Sequence, residues 1–496
     1  MYAESRVAMP YIERTFDRFL ADWKRDAGRK PLLVKGARQV GKTESIRRFG
    51  RRNYRSFIEI NFVESPEFKS IVQDGYSARA VVSRISRIDP SLAFVPGGTL
   101  LFFDEIQEFP DIATSFKFFR EDGRFDVVSS GSLLGIHYKR IASVPVGSKT
   151  DYTLRSLDFA EFLAAKGYGE GYVGELFAHM AERRPFSAAD LALLDRLFLD
   201  FCILGGMPEV VRTYLERQSF EGSLDLQRQI VAAYRDDVRK YAEGLDQARI
   251  LNVLDHVPVQ LARKNKKFQI SKVARDARFR DYRGCVEWLR DAGIVVPCHA
   301  LHVPELPIRA NYDESRFKLY MADTGLLVSM LDDESQADLR ANGNLGGWKG
   351  GLCENIVGEA LCKAGADLVY YKREDSTLEE DFFLRTARHL VPVEVKATNA
   401  RSKSLRTLIA SERYPDIAWG VKLVRGNIGF ENSILTLPLA TAFLLRRLLS
   451  TAPPESDKLP ANSPFVPTAR SESSPHRAPH PVTRHSSLRP KGVVQN

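Results

Sequence analysis

The sequence predicts an α/β fold that begins with a parallel sheet covered by helices. Three observations predict this fold. The apolar strands PLLVKG, SFIEINF, TLLFFD and FDVVSSGS alternate with helical stretches, and strands separated by helices in this way form parallel sheets. A glycine-rich loop, GARQVGKT, overlaps the end of the first strand and leads into a helical stretch. A second mixture of strands and helices occupies residues 311–450.

The chain of 496 residues is too long for one hydrophobic core, and its pattern divides it into five segments. Three short helical patterns followed by the β-like stretch IVVPCHALHVPELPIR indicate a winged helix. The last segment holds nine prolines and seven serines with few large apolar side chains, a composition typical of disorder. The predicted segments are a phosphate-loop core (1–157), a helical lid or linker (158–245), a winged helix (246–310), an α/β domain (311–450) and a disordered tail (451–496).

The composition is that of a soluble globular protein, with 44% hydrophobic and 27% charged residues. No apolar run reaches the ~18 residues that cross a bilayer, and the first residues have no signal-type apolar core, so we expect a cytoplasmic protein without membrane insertion. The five cysteines form no CxxC pair, which predicts reduced thiols. The net charge is +9, and residues 245–310 carry 12 Lys and Arg against 7 Asp and Glu, which permits a polyanionic partner.

The stretch GARQVGKT fits the phosphate-loop pattern GxxxxGK[ST] in full. It stands between an apolar strand and a helical segment, the context that separates a phosphate loop from a chance match in a turn. Lys42 would reach the β and γ phosphate oxygens of ATP, and the hydroxyl of Thr43 would bind Mg²⁺. The predicted nucleotide-binding residues of this loop are Gly36, Ala37, Arg38, Gln39, Val40, Gly41, Lys42 and Thr43.

The strand TLLFFDEIQ ends in an acidic pair of Walker B form, Asp104 and Glu105. Asp104 would hold the magnesium through water, and Glu105 would polarise the attacking water as general base. Such a pair can instead cap the next helix, but its position downstream of a complete phosphate loop favours catalysis. The strand FDVVSSGS adds Ser130 and Ser132 as candidates for sensing the nucleotide. The alternative is a turn whose serines bond their own backbone.

The stretch VPVEVKATN places Glu394 and Lys396 on one face of a predicted strand, because side chains alternate along strands. A hairpin would bring Asp381 beside them, and Glu354 lies at the edge of a helical stripe upstream. Glutamate followed by D…ExK on strands resembles the PD-(D/E)XK nuclease core. These four residues form a predicted second metal site, in which Asp381 and Glu394 hold a divalent cation and Lys396 orients a water. The alternative is a structural strand whose charged residues pair with neighbours.

The motifs together resemble those of one family, the bacterial and archaeal P-loop ATPases of the AAA+ class that carry a C-terminal domain of unknown function, DUF4143. The matching stretches are GARQVGKT, LLFFDEIQ, SSGSLLGI, LDFAEFL, GGMPEVV, FKLYMADTGLL, GLCENIVGEAL and VPVEVKA. The resemblance covers nearly everything from residue 11 to about 445. The resemblance implies a five-stranded sheet with the sensor strand between the phosphate-loop and Walker B strands. Some relatives carry an arginine where VPVGSKTDY has Ser148 and Lys149, so no charge-stabilising arginine for a homo-oligomer is assigned.

The middle segment KNKKFQISKVARDARFRDYRGCVEWLRDAG leaves two interpretations open. A DNA-binding winged helix would place a helix at about residues 281–292 in the major groove, with Lys264, Lys266, Lys267 and Arg280 at phosphates. A packing module would leave the same charges in solvent.

Three functions remain open at this point. The first is an ATPase that hydrolyses Mg-ATP to drive or gate action on an unidentified partner, DNA among them. The second is a nucleotide-gated nuclease that cleaves at Asp381, Glu394 and Lys396. The third is a signalling or scaffold protein in which ATP binding sets a conformation with little turnover.

Overall fold

The phosphate-loop region folds into a parallel sheet of five strands. The computed structural model describes residues 11–131, 147–242, 247–263, 266–274, 277–342, 349–374, 376–398 and 401–451. The strands of this first sheet are β1 (Leu32–Lys35), β2 (Ser56–Asn61), β3 (Thr99–Asp104), β4 (Asp126–Gly131) and β5 (Thr150–Thr153). Their order is β2–β3–β4–β1–β5, with every pair parallel. Strand β4, which carries the predicted sensor Ser130, therefore lies between β1 and β3, as the resemblance implies.

Both faces of this sheet are buried. On β3, Leu100 and Phe102 belong to one hydrophobic core, whereas Leu101 and Phe103 belong to a second one. This double burial explains why the strand is an unbroken apolar run. The helices that cover the sheet are α1 (Thr15–Arg25), α2 (Lys42–Asn53), α3 (Ala78–Ile88) and α4 (Phe116–Asp122). Helices α1 and α2 pack on the first face, and α3 and α4 pack on the second.

A run of helices follows the sheet. They are α5 (Phe159–Ala165), α6 (Glu170–Ala181), α7 (Ala188–Leu204), α8 (Pro208–Arg217) and α9 (Ser223–Tyr241). Helix α5 begins with a capping box, in which Asp158 accepts the Glu161 N–H at 2.8 Å and Glu161 accepts the Asp158 N–H at 3.0 Å. The motif LDFAEFL thus fixes the start of a helix.

Helices and a hairpin form the middle of the chain. Their bounds are α10 (Gln247–Leu261), a 3₁₀ helix (Ile270–Lys272), α11 (Phe279–Asp291), β6 (Val295–Leu301) and β7 (Tyr312–Met321). Strand β6 also pairs in parallel with β8 (Val369–Lys372), whose other neighbour is β9 (Glu379–Glu380). The hairpin is therefore part of a four-stranded sheet, and the predicted boundary at residue 310 lies between its two strands. The winged helix remains a prediction.

The C-terminal region contains a third sheet and its helices. The elements are α12 (Thr324–Ser329), α13 (Asp333–Asn342), α14 (Lys349–Lys363), β10 (Phe382–Arg385), β11 (Leu390–Lys396), α15 (Lys403–Ile409), β12 (Gly420–Val424), β13 (Gly429–Glu431), β14 (Ile434–Pro438) and α16 (Ala442–Thr451). The strand order is β10–β11–β12–β14–β13. Strands β10 and β11 form the expected antiparallel hairpin, with Phe382 opposite Val393.

The predicted disordered tail, apart from Thr451, lies outside the described residues. Within the described ranges, no helix has both the length and the apolar character needed to cross a bilayer.

The turn at Gly206, after α7, joins three parts of the chain. Its N–H donates to Asp323 Oδ2 at 2.8 Å, and its carbonyl accepts the Leu157 N–H at 2.7 Å. A Cβ on Gly206 would lie 2.1 Å from the Leu157 carbonyl oxygen. At Gly325, on α12, a Cβ would lie 2.2 Å from the carbonyl oxygen of Leu204. Only residues without side chains fit where these backbones meet.

Gly206→Ala should lower the free energy of unfolding by about 1–3 kcal/mol or more, because the added methyl group overlaps backbone atoms that cannot rotate away. Chemical denaturation measures the loss. Gly174→Ala is the matched control, since Gly174 is an exposed residue of α6 with open space around its Cβ position. Alanine there should stabilise the helix by up to about 1 kcal/mol. Equal stabilities of the two variants would contradict this packing.

Candidate functional site

The predicted phosphate loop connects β1 to α2. Helix α2 begins at Lys42, directly after Gly41, whose φ of +91° is a left-handed conformation that suits glycine. A Cβ at Gly36 would lie 2.2 Å from the carbonyl oxygen of Leu154, so close backbone contact fixes the start of the loop. The first-turn N–H groups of an α-helix have no intrahelical partner, and the N-terminus of α2 is therefore suited to an anion.

Lys42 is buried within this loop. Its Nζ donates to the carbonyl oxygens of Gly36 at 2.9 Å and Ala37 at 2.7 Å. Burial lowers the pKa of Lys42 to about 8, although the carboxylates of Glu105 and Asp104 act in the opposite direction. Phosphate oxygens would give this ammonium group the full negative charge that carbonyl oxygens supply only in part.

Three predicted residues from separate elements meet at one point. Thr43 Oγ1 donates to Asp104 Oδ2 at 3.0 Å, and the Ser130 hydroxyl donates to Asp104 Oδ1. The sheet order causes the meeting, because β3 and β4 are parallel neighbours whose carboxyl ends lie at the same edge. A hydroxyl and a carboxylate are hard oxygen ligands, so Thr43 and Asp104 fit Mg²⁺. Ser132, the other predicted sensor, lies outside the described residues.

Glu105 follows β3 in a left-handed backbone conformation, with φ of +52°. Its N–H donates to Asp104 Oδ1 at 3.0 Å, and the side-chain amide of Gln107 donates to Glu105 Oε2. Glu105 also lines a cavity at the phosphate loop, so its carboxylate is placed to contact a water there. Sequence reasoning did not identify Gln107, whose only signal is its position in the stretch DEIQ.

The four residues of the predicted second metal site fall into two groups. Glu354 and Asp381 both contact the Lys318 ammonium, at 2.7 and 3.3 Å. Glu394 instead pairs with Lys396 at 2.7 Å. Across the described ranges, no group of three or more His, Cys, Asp and Glu side chains is arranged to hold a metal ion. Ammonium groups thus bind the carboxylates of Glu354, Asp381 and Glu394, and a cation position shared by the four residues stays a prediction.

Lys318 was also missed, although a lysine inside the apolar stretch FKLYM is a signal that could have identified it. Burial acts to lower the pKa of Lys318, but the charges of Glu354, Asp381 and Glu379 raise it well above its ordinary value. Burial acts to raise the pKa of Glu354, but the ammonium groups of Lys266 and Lys318 lower it below its ordinary value. Burial and the charge of Glu354 raise the pKa of Asp381 to about 6.

Family models match the regions that hold these two groups of residues. Residues 28–163 match the model of an AAA domain, and residues 349–441 match that of a domain of unknown function, DUF4143. The chain joins an AAA domain to a DUF4143 domain. Residues 195–337 match a further domain of unknown function, DUF8612. No curated protein sequence matches the chain.

Several solved structures are similar to the chain at low identity. The Walker-type ATPase PABY2304 of Pyrococcus abyssi is 14% identical, with a TM-score of 0.40 over 64% of this chain and 96% of that one. The Aeropyrum pernix ORC1 protein in complex with DNA is 14% identical, with a TM-score of 0.26 over 65% and 92%. The Thermotoga maritima RuvB Holliday junction branch migration motor is 13% identical, with a TM-score of 0.28 over 62% and 92%.

The phosphate loop of the AAA domain borders a cavity of about 720 Å³. Besides the predicted residues, side chains from the N-terminal segment and from α8 and α9 line it. These further residues include Tyr11, Arg14, Pro208, Arg212, Lys240 and Tyr241. The cavity therefore lies between the sheet and the helices that follow it, where a nucleotide would contact both.

Arg14 joins the phosphate loop to the start of α5. Its Nη1 donates to the Val40 carbonyl at 3.0 Å, and its Nη2 donates to the Arg155 carbonyl at 2.8 Å. Its Nε lies 3.1 Å from Glu161 Oε2. Arg14 is buried. Its hydrogen bonds therefore hold the phosphate loop in position against the segment before α5. Sequence reasoning missed Arg14 because its partners lie in distant segments.

Lys42→Ala should weaken the binding of Mg-ATP at least about tenfold, since a charge-assisted hydrogen bond contributes about 1.5–3 kcal/mol. Isothermal titration calorimetry measures the affinity. Lys117→Ala, which removes a half-exposed lysine of α4, should leave the affinity unchanged. An unaltered affinity in Lys42→Ala would contradict the role given to this lysine.

Proposed function

We propose that the AAA domain binds Mg-ATP and hydrolyses it to drive or gate action on a partner. The contact of Thr43 with Asp104 carries the proposal, because it joins the phosphate loop to the Walker B strand. Lys42 and Glu105 line the cavity beside this contact. A magnesium pair, a phosphate-binding lysine and a general base are the parts that phosphoryl transfer to water requires.

Each of these residues has a defined part in binding. Lys42 exchanges its two carbonyl contacts for β and γ phosphate oxygens. Thr43 and Asp104 would hold Mg²⁺, which would neutralise charge on the transferred phosphoryl group. Arg212 of α8 lines the same cavity and adds positive charge from the helical segment. A nucleotide bound in the cavity therefore contacts both the phosphate loop and the helices that follow the sheet.

Glu105 accepts a proton from the attacking water, and the Gln107 amide holds its carboxylate in place. Positioning and charge supply the catalysis. Ser148 is buried and Lys149 pairs with Asp151, so neither replaces the arginine that some relatives carry there. If the active form is a homo-oligomer, a charge-stabilising arginine comes from another position.

The structure weakens the sequence argument for DNA as the partner, because that argument depends on basic residues that are free to contact phosphates. Among the basic residues predicted to meet phosphates, Lys266 binds a buried carboxylate and Arg280 lies 3.5 Å from Asp281. Lys264 lies outside the described residues. The pairing of Lys266 uses charge that a phosphate contact requires, whereas Arg280 stays exposed. The proposal therefore includes a partner without specifying DNA.

Glu105→Gln should slow phosphate release by about 10²-fold or more, because the amide cannot accept the proton of the attacking water. The affinity for Mg-ATP should stay close to that of the wild type, since Glu105 is not assigned to binding. Steady-state phosphate release and calorimetry measure the two quantities.

Glu121→Gln, which changes an exposed carboxylate on α4, is the control and should hydrolyse ATP at the wild-type rate. A wild type that binds Mg-ATP but releases no phosphate would contradict hydrolysis and favour the scaffold function. Equal rates for Glu105→Gln and the wild type would refute only the assignment of Glu105 as the general base.

A further inference from the structure

Three carboxylates surround one buried ammonium group beside the four-stranded sheet. Lys318 lies on β7, and its side chain is 1% exposed. Its Nζ is 2.7 Å from Glu354 Oε1, 3.2 Å from Glu379 Oε1 and 3.3 Å from Asp381 Oδ1. The Lys318 ammonium donates hydrogen bonds to Glu354 and Asp381, and it forms an ion pair with Glu379. We name the four residues the Lys318 cluster.

The two carboxylates of this cluster that sequence predicted as metal ligands have donors on all their oxygens. The Tyr320 hydroxyl donates to Glu354 Oε1 at 2.6 Å, and the Lys266 ammonium binds Glu354 Oε2. The Val395 N–H donates to Asp381 Oδ2 at 2.9 Å. A hard divalent cation takes six or more oxygen ligands, and it would have to displace these donors.

The charges of the cluster are balanced. Lys372 Nζ lies 3.1 Å from Glu379 Oε2, and Lys266 binds Glu354. With Lys318, three ammonium groups therefore face the three carboxylates. A divalent cation added to this set would bring two uncompensated charges next to a buried ammonium, which is strongly unfavourable in a low-dielectric interior.

We propose that the Lys318 ammonium fills the position that a divalent cation would need between Glu354 and Asp381. The Lys318 cluster is then a closed structural centre that does not cleave phosphodiesters. Lys318 belongs to the DUF8612 match, whereas its three carboxylates belong to the DUF4143 match. The cluster thus holds the two regions together and supplies positive charge without the open coordination position that metal-assisted hydrolysis uses.

Other carboxylate oxygens lie next to the cluster, and they are the groups that a cation would bind if Lys318 did not occupy its position. Glu394 Oε1 pairs with Lys396 at 2.7 Å. Glu394 Oε2 and both oxygens of Glu380 are buried and have no hydrogen-bond partner in the described part of the chain. A test of the proposal must therefore include a variant at Glu394 as well as one at Asp381.

The full chain with Asp104→Asn, which removes the magnesium carboxylate of the AAA domain, isolates the C-terminal residues. Electron paramagnetic resonance of free Mn²⁺ measures binding, and nicking of a supercoiled plasmid with Mn²⁺ measures cleavage. We expect no nicking, and no bound Mn²⁺ that depends on the C-terminal carboxylates. Binding or nicking that disappears on adding Asp381→Asn, Glu380→Gln or Glu394→Gln would overturn the proposal. Binding that none of these substitutions removes lies elsewhere and agrees with it.

Thermal stability gives a second measurement. Lys318→Met should lower Tm by roughly 5 °C or more, because three carboxylates lose their shared ammonium group. Lys372→Met removes a partly exposed lysine from the same surroundings and should lower Tm by roughly 2 °C or less. Equal shifts would overturn the central role of Lys318. If Lys318→Met does not fold, the Mn²⁺ measurements on the folded Asp104→Asn protein still decide.

Discussion

The arrangement of the chain depends on backbone contacts that leave no room for side chains at Gly206 and Gly325. These contacts bring the last part of the AAA domain, the end of α7 and the start of α12 together. Leu157 is hydrogen-bonded to two other parts of the chain. Its N–H donates to the Gly206 carbonyl, and its own carbonyl accepts from Lys363 Nζ at 2.7 Å. The motifs LDFAEFL, GGMPEVV and FKLYMADTGLL therefore encode one junction rather than three separate sites.

Helix α14 carries this junction towards the Lys318 cluster. Glu359 accepts the Thr324 N–H at 2.7 Å and pairs with Lys363 at 2.5 Å. Glu354, on the same helix, binds Lys318. One helix thus contacts the AAA domain near one end and the buried ammonium group further along. Helix α14 is therefore in contact both with Leu157, near the end of the AAA match, and with the Lys318 cluster.

The sequence signals of the proposed nucleotide site are local, and the structure brings Thr43, Asp104 and Ser130 together. The phosphate loop is eight consecutive residues, and the parallel sheet places the ends of neighbouring strands, with Asp104 among them, at one edge. The role of Arg14 could not be predicted, because its partners lie far away in the sequence and become its neighbours only in the folded chain. The C-terminal motif shows a second limit. The alternation of side chains along a strand places Glu394 and Lys396 on the same face. The spacing of residues does not reveal whether Asp381 contacts a metal ion or Lys318. No local sequence pattern predicts the pairing of β6 with β8, because the two strands lie far apart in the chain.

Crystals grown with Mn²⁺ and a non-hydrolysable ATP analogue, measured at the manganese absorption edge, test most directly the claim that metal binding belongs to the phosphate loop. The account predicts an anomalous peak beside Thr43 and Asp104. It also predicts no peak between Glu354 and Asp381, where Lys318 Nζ keeps its position. A peak within the Lys318 cluster, or bound nucleotide without a peak at Thr43, would contradict it.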